Sequence, residues 1–315
     1  MFMKRIHILI ISLLVIWPAS YAHAFWVWTP QTNRWVNPKY SVKETPKDQL
    51  QYALEAFNAK QWKKARDEFD RLIKYYPRAR EAADAQYYIA VSLENEGKLV
   101  EAFRAYQRVI EKYPFSERSG EVVKRQYDLG NQMLEGNDKR SQFVKTVIGG
   151  DYDVIEIFRA VIKNAPYGEY AAPSQYKIGL YLQEKQLYQE ARDEFEKTIN
   201  DYPSSEWAKA ARYQIAVSDA KRSSDAARDQ KVTEAAIDQF KSFVQDYPDA
   251  DLSDQAKDNI RSLKEKEAAN AFLVAQFYEK QKKVNAAKVY YHAIVEDYAN
   301  TTWASKALER LRALN

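Results

Sequence analysis

Polar and apolar residues alternate with a helical period over most of this 315-residue chain. Apolar positions recur at i, i+4, i+7 and i+8 in "KKARDEFDRLIKYYP", "VEAFRAYQRVIEKYP", "QEARDEFEKTINDYP", "AAIDQFKSFVQDYP" and "NAAKVYYHAIVEDYA". That spacing lays one apolar stripe along one face of a helix. Each stretch carries a small residue, an aromatic four residues on, and usually a proline eight residues after that. The sets are Ala65/Phe69/Pro77, Ala102/Tyr106/Pro114, Val154/Phe158/Pro166, Ala191/Phe195/Pro203 and Ala236/Phe240/Pro248; a sixth, Ala287/Tyr291, ends at Ala299. The proline cannot continue a helix, and the alanine lets a neighbouring helix approach closely. Upstream of these stretches lie partners such as "DAQYYIAVSLENEGK" and "PSQYKIGLYLQEKQ", each closed by a short polar turn. The pattern predicts six helix–turn–helix units, about 47–80, 81–118, 119–170, 171–206, 207–252 and 253–315.

Uneven spacing locates the exceptions. The five prolines, 77, 114, 166, 203 and 248, stand 37, 52, 37 and 45 residues apart. The longest interval holds "LEGNDKRSQFVKTVIGGDY" (134–152), an insertion between the helices of the third unit. The 45-residue interval holds "SDAKRSSDAARDQK" (218–231), which reads as a longer turn. The stretch after Pro248 reads as one long helix or two abutting ones.

The Ala-x3-aromatic and terminal-proline pattern resembles the tetratricopeptide repeat, and Gly179 in "YKIGLY" sits where that family has its first-helix glycine. The resemblance covers about residues 47–312. It implies an all-α superhelical solenoid of about six hairpins, a scaffold that binds other proteins. The first helices of such hairpins line a concave face, so the candidate partner-binding residues there are Tyr52, Tyr87, Tyr88, Tyr127, Tyr176, Tyr181 and Tyr213. Aromatic residues at helical spacing fit packing between repeats equally well.

The N-terminus adds a compartment. "MFMKR", the 12-residue apolar run Ile6 to Trp17 and the small-x-small ending Ala22-His23-Ala24 read as a cleaved secretory signal over 1–24. Cleavage leaves 291 of the 315 residues and removes Lys4 and Arg5 but no acid, taking the net charge from +4 to +2. Residues 25–46 then form an extended aromatic and proline-rich segment with Phe25, Trp26, Trp28 and Trp35. Residues before Pro30 and Pro38 are pushed out of the helical region. Two readings stand for these rings: a cap on the first repeat, or a docking element for a partner or the inner leaflet of the outer membrane.

Cysteine is absent, which excludes disulfides, thiolate metal sites, a cysteine nucleophile and attachment of lipid to a cysteine after the signal. Basic and acidic residues are interspersed, with no basic face of the kind nucleic acid requires. Past the signal the one histidine, His292, lies among core aromatics; no phosphate-cradling glycine loop occurs. Carboxylate pairs such as Asp67/Glu68, Asp193/Glu194 and Glu296/Asp297 read as solvated helix surface. No catalytic, cofactor-binding or metal site is expected, and the chain is read as a non-enzyme.

A narrower resemblance rests on the C-terminal text "IRSLKEKEAANAFLVAQFYEKQKKVNAAKVYYHAIVEDYANTTWASKALERL" and on the opening repeat "YALEAFNAKQWKKARDEFDRLIKYYPRAREAADAQYYIA". Both are similar to the outer-membrane assembly lipoproteins of the BamD family. That resemblance implies a periplasmic scaffold at the inner face of the outer membrane; the terminal units that cap a solenoid favour a monomer within a larger complex. Its partners would be a β-barrel insertase, other assembly subunits or unfolded barrel substrates. The lipid-bearing cysteine is missing, and six units stand where the family has five. The alternatives are an adaptor of another envelope machine, such as Tol-Pal, cell-wall synthesis or polysaccharide export, and an accessory enzyme.

Overall fold

The computed structural model describes residues 26–29, 34–36, 41–135, 154–225 and 230–314. Two short strands, β1 (Val27–Thr29) and β2 (Arg34–Val36), pair antiparallel with Trp28 opposite Trp35. Among the described residues, six helical hairpins and a terminal helix follow. The first three pair α1 (Pro46–Asn58) with α2 (Trp62–Tyr75), α3 (Arg80–Asn95) with α4 (Leu99–Lys112), and α5 (Ser119–Glu135) with α6 (Val154–Asn164). The next three pair α7 (Ala171–Glu184) with α8 (Tyr188–Asp201), α9 (Glu206–Asp225) with α10 (Gln230–Asp246), and α11 (Asp251–Lys280) with α12 (Val284–Asp297). Helix α13 (Thr302–Ala313) closes the stack. The fold is the expected all-α solenoid.

Every small-residue and aromatic pair read from the sequence is buried. Ala65, Ala102, Ala191, Ala236 and Ala287 have no exposed surface, Val154 almost none, and the same holds for Phe69, Tyr106, Phe158, Phe195, Phe240 and Tyr291. Burying one such ring stabilises by about 1.5–3 kcal/mol. The prolines of the same sets part from this pattern. Pro77, Pro114, Pro166, Pro203 and Pro248 are all exposed, in the turns that follow the second helices. They contribute no core surface and act through the backbone alone, as a ring that fixes φ and a nitrogen with no proton to donate. The helices stop as that backbone effect dictates: Tyr76, Tyr113 and Tyr202, each just before a proline, take φ of −126°, −132° and −131° with positive ψ. Tyr298 has the same geometry (φ −122°) although Ala299 follows it; there the Thr301 amide and hydroxyl both donate to the Tyr298 carbonyl, at 3.0 and 2.7 Å.

Inside the hairpins the turn is a Schellman-type stop. Lys98 N–H bonds the Leu93 carbonyl at 3.0 Å around Gly97 (φ 73°), and Gln61 N–H bonds Ala56 at 2.9 Å around Lys60 (φ 57°). Gln186 and Lys282 occupy the same left-handed position without being glycine. At the solenoid's start Thr45 caps α1, its Oγ1 accepting from Asp48 N at 3.1 Å, with Pro46 at the first helical position. The Tyr76 hydroxyl donates to the Lys43 and Glu44 carbonyls at 2.6 and 3.0 Å, tying residues 43–44 to the first hairpin.

One expectation changes, and one left open is decided. The predicted turn at 218–231 is mostly helix: α9 runs on to Asp225, because Ser218 and Asp219 are buried, and residues 226–229 lie outside the described residues. The stretch after Pro248 is one 30-residue helix, α11. Of the insertion at 134–152, all but its first two residues lie outside the described residues.

Carboxylate pairs also prove unequal. Asp67, Asp193, Glu296 and Asp297 are exposed, but Glu68 and Glu194 are buried, which corrects the reading of those pairs as solvated surface. Each is held from the helix before it: Gln49 Nε2 donates to the Glu68 carboxylate and carbonyl at 3.0 Å, and Gln175 Nε2 donates to those of Glu194 at 2.5 and 3.3 Å. Gln86 repeats the bond to the Ala105 carbonyl at 3.1 Å. A buried glutamine thus stitches first helix to second in hairpins one, two and four, since an unpaired polar group there costs about 1–3 kcal/mol.

Candidate partner-binding surfaces

First helices of successive hairpins touch one another, α1 with α3, α7 with α9 and α9 with α11, and α11 with the terminal α13; second helices pack chiefly on the first helices flanking them. Solenoids of stacked hairpins present an extended concave surface, and here it is the row of first helices that touches from one hairpin to the next. At the third hairpin the row is bridged by side chains. Arg118 pairs with Asp84 at 2.9 Å and Glu121 at 3.2 Å, and its guanidinium lies 4.9 Å over the Tyr87 ring. The Tyr87 hydroxyl donates to Glu121; burial, reinforced by that acceptor, pushes its pKa up to about 12.

The seven tyrosines divide. Tyr87, Tyr176 and Tyr213 are buried in the core clusters, which corrects their assignment to a partner-facing surface. Tyr176 packs between Phe195 and Trp207, and Tyr213 between Phe240 and Phe243 with its hydroxyl accepting from Asn259 at 3.1 Å. Tyr52, Tyr88, Tyr127 and Tyr181 are half-buried and keep ring surface toward solvent. A cation accompanies each: Lys43 lies 4.3 Å over Tyr52, Arg118 5.6 Å over Tyr88, Lys177 5.9 Å over Tyr127 and Lys185 5.1 Å over Tyr181. Burial holds the Lys177 ammonium below its ordinary pKa, with Glu135 opposing the shift. These four positions offer aromatic faces edged with positive charge.

A second surface was not among the expected residues. On α11, Leu273 and Phe277 are 61% and 58% exposed and Val274 lies beside them. Ring contacts continue the patch from Phe277 through Tyr278, which stacks on Tyr290 of α12 at 5.3 Å. Exposed contiguous apolar surface of this kind marks interaction sites. The helical period hides it, since Leu273 and Phe277 at i and i+4 look like any core pair.

The N-terminal rings are exposed as well: Trp26 by 56%, Trp28 by 43% and Trp35 by 61%. Phe25 lies outside the described residues. Among the described residues no cluster of His, Cys, Asp or Glu could hold a metal ion, and no helix is long and apolar enough to cross a membrane. His292 is exposed on α12.

Stacked hairpins with exposed aromatic and apolar surface define a tetratricopeptide-repeat scaffold for protein–protein contacts, and a tetratricopeptide-repeat family model matches residues 50–117. The family model described as outer membrane lipoprotein, YfiO, matches residues 145–315, more than half of the chain. The chain belongs to that family. No curated protein matches it in sequence. Similar solved structures include a tetratricopeptide repeat protein from Parabacteroides merdae, at 11% identity over 86% of this chain and 99% of that one, with a TM-score of 0.35. A thermophilic repeat protein of Thermus thermophilus gives 14%, 69%, 99% and 0.32, and MamA from Desulfovibrio magneticus gives 12%, 67%, 99% and 0.33.

Proposed function

We propose that this chain is a BamD-like periplasmic scaffold that binds protein partners in the assembly and insertion of outer-membrane β-barrel proteins. The observation that carries the reading is positional: the outer membrane lipoprotein match over 145–315 contains the exposed Leu273, Val274 and Phe277 strip. Family membership thus coincides with surface that needs a partner. A β-barrel insertase or a fellow assembly subunit would cover the α11 strip. The half-buried, cation-flanked tyrosines at 52, 88, 127 and 181 suit extended segments of unfolded barrel substrate, to which aromatic faces and hydrogen-bonding cations both bind.

Affinity purification from detergent-solubilised envelopes tests this directly. Recovery of a barrel insertase is the expected result, and Leu273→Asp with Phe277→Asp should reduce it at least tenfold while circular dichroism stays unchanged. Recovery of Tol-Pal, cell-wall or polysaccharide-export components in its place would overturn the assignment.

A further inference from the structure

The strand pair at the N-terminus gathers three tryptophans on one side. Trp28 and Trp35 are cross-strand partners with ring centroids 5.7 Å apart in an edge-on arrangement. Trp26 stands two residues before Trp28, and a two-residue step along an extended chain returns to the same face. All three tryptophans are exposed, Trp28 the least. A two-stranded hairpin is marginally stable alone and gains order when its apolar face is covered. Something outside the described solenoid must therefore cover it.

Charge indicates what. From residue 25 to 43 the sequence carries Arg34, Lys39 and Lys43 and no acid, in a chain whose other basic and acidic residues are interspersed. Strands of three residues give too short an edge for a partner strand to add productively. Tryptophan is the side chain best suited to the level of lipid headgroups, and neighbouring basic residues are attracted to anionic ones. We infer that the Trp26/Trp28/Trp35 face is a peripheral anchor that inserts into the interface of an anionic bilayer. It acts whichever protein the scaffold serves, so its failure would leave the proposed function standing.

The test uses the protein as purified from envelopes, and the same protein carrying Trp26→Ser, Trp28→Ser and Trp35→Ser. Sedimentation with vesicles of equal phosphatidylglycerol and phosphatidylethanolamine should show binding that the triple variant loses by roughly tenfold or more. Pure phosphatidylcholine vesicles should bind the unaltered protein about tenfold less, because the attraction of the basic residues to anionic headgroups is lost. The variant should melt at the unaltered temperature, and phenylalanine at the three positions should return part of the binding. Equal partition of the variant, or equal binding to both vesicle types, would overturn the proposal. So would a markedly lowered melting temperature, which would make the rings a cap on the first hairpin.

Discussion

A single missing methyl group sets the spacing of helices at Gly179. A Cβ built there would stand 2.5 Å from Phe195 Cε1, and one at Gly130 would stand 2.8 Å from Phe158. Sixteen residues before their own aromatics, hairpins one, two and six carry Ala53, Ala90 and Ala275 instead, so the helices close more tightly at Gly179. Gly179→Ala should therefore destabilise by up to about 2 kcal/mol, overpacking of about 1–3 kcal/mol outweighing a helix-propensity gain near 1. Chemical denaturation reads this out, and a stabilised variant would contradict it. Glu267 gives a residue-scale prediction of opposite sign. Its carboxyl is buried with Oε1 unpartnered, and burial, reinforced by Glu234, raises its pKa. An acid with a raised folded pKa binds its proton more tightly when folded, so stability falls as pH rises from its ordinary value through the folded one. Glu267→Gln should raise the melting temperature at pH 7.5, and the gain should vanish toward pH 4.5; a gain independent of pH would sink the account.

Hairpins are where sequence and structure agree most closely, for a physical reason. The Ala-x3-aromatic pair and the proline act locally, through steric contact and a forbidden dihedral, so each unit announces itself without its neighbours. What depends on neighbours was hidden. Gly130 does for hairpin three what Gly179 does for hairpin four, but the residues inserted between α5 and α6 shift its spacing from Phe158. The two tyrosine anchors, Tyr106 and Tyr291, each bond a glutamate twelve residues earlier, Glu94 at 2.6 Å and Glu279 at 2.8 Å. An arginine thirty-one residues beyond each glutamate, Arg125 or Arg310, completes both sets. A hydroxyl added to a buried ring requires its own acceptor, and only the fold shows where that acceptor comes from. Core and partner-facing tyrosines share one period, so Tyr87 and Tyr88 could be separated only by burial.

Over the whole molecule, four hydrophobic clusters follow one another from α1 to α13, each held by adjacent hairpins. Solenoids of this kind leave surface at their ends, and here both ends carry it: the tryptophan face before α1 and the Leu273/Val274/Phe277 strip near α13. One end suits a membrane interface and the other a protein, with the aromatic and cationic row of first helices between them. The chain would thus join a bilayer contact at one end to a partner at the other. The most direct test of that claim is photo-crosslinking in native envelopes from a probe at Phe277, with a probe at the exposed Asp258 of the same helix for comparison. Mass spectrometry of the Phe277 adduct should identify a β-barrel insertase or another barrel-assembly subunit, with little yield from Asp258. Equal yields at both positions, or adducts with a different envelope machine alone, would contradict the account.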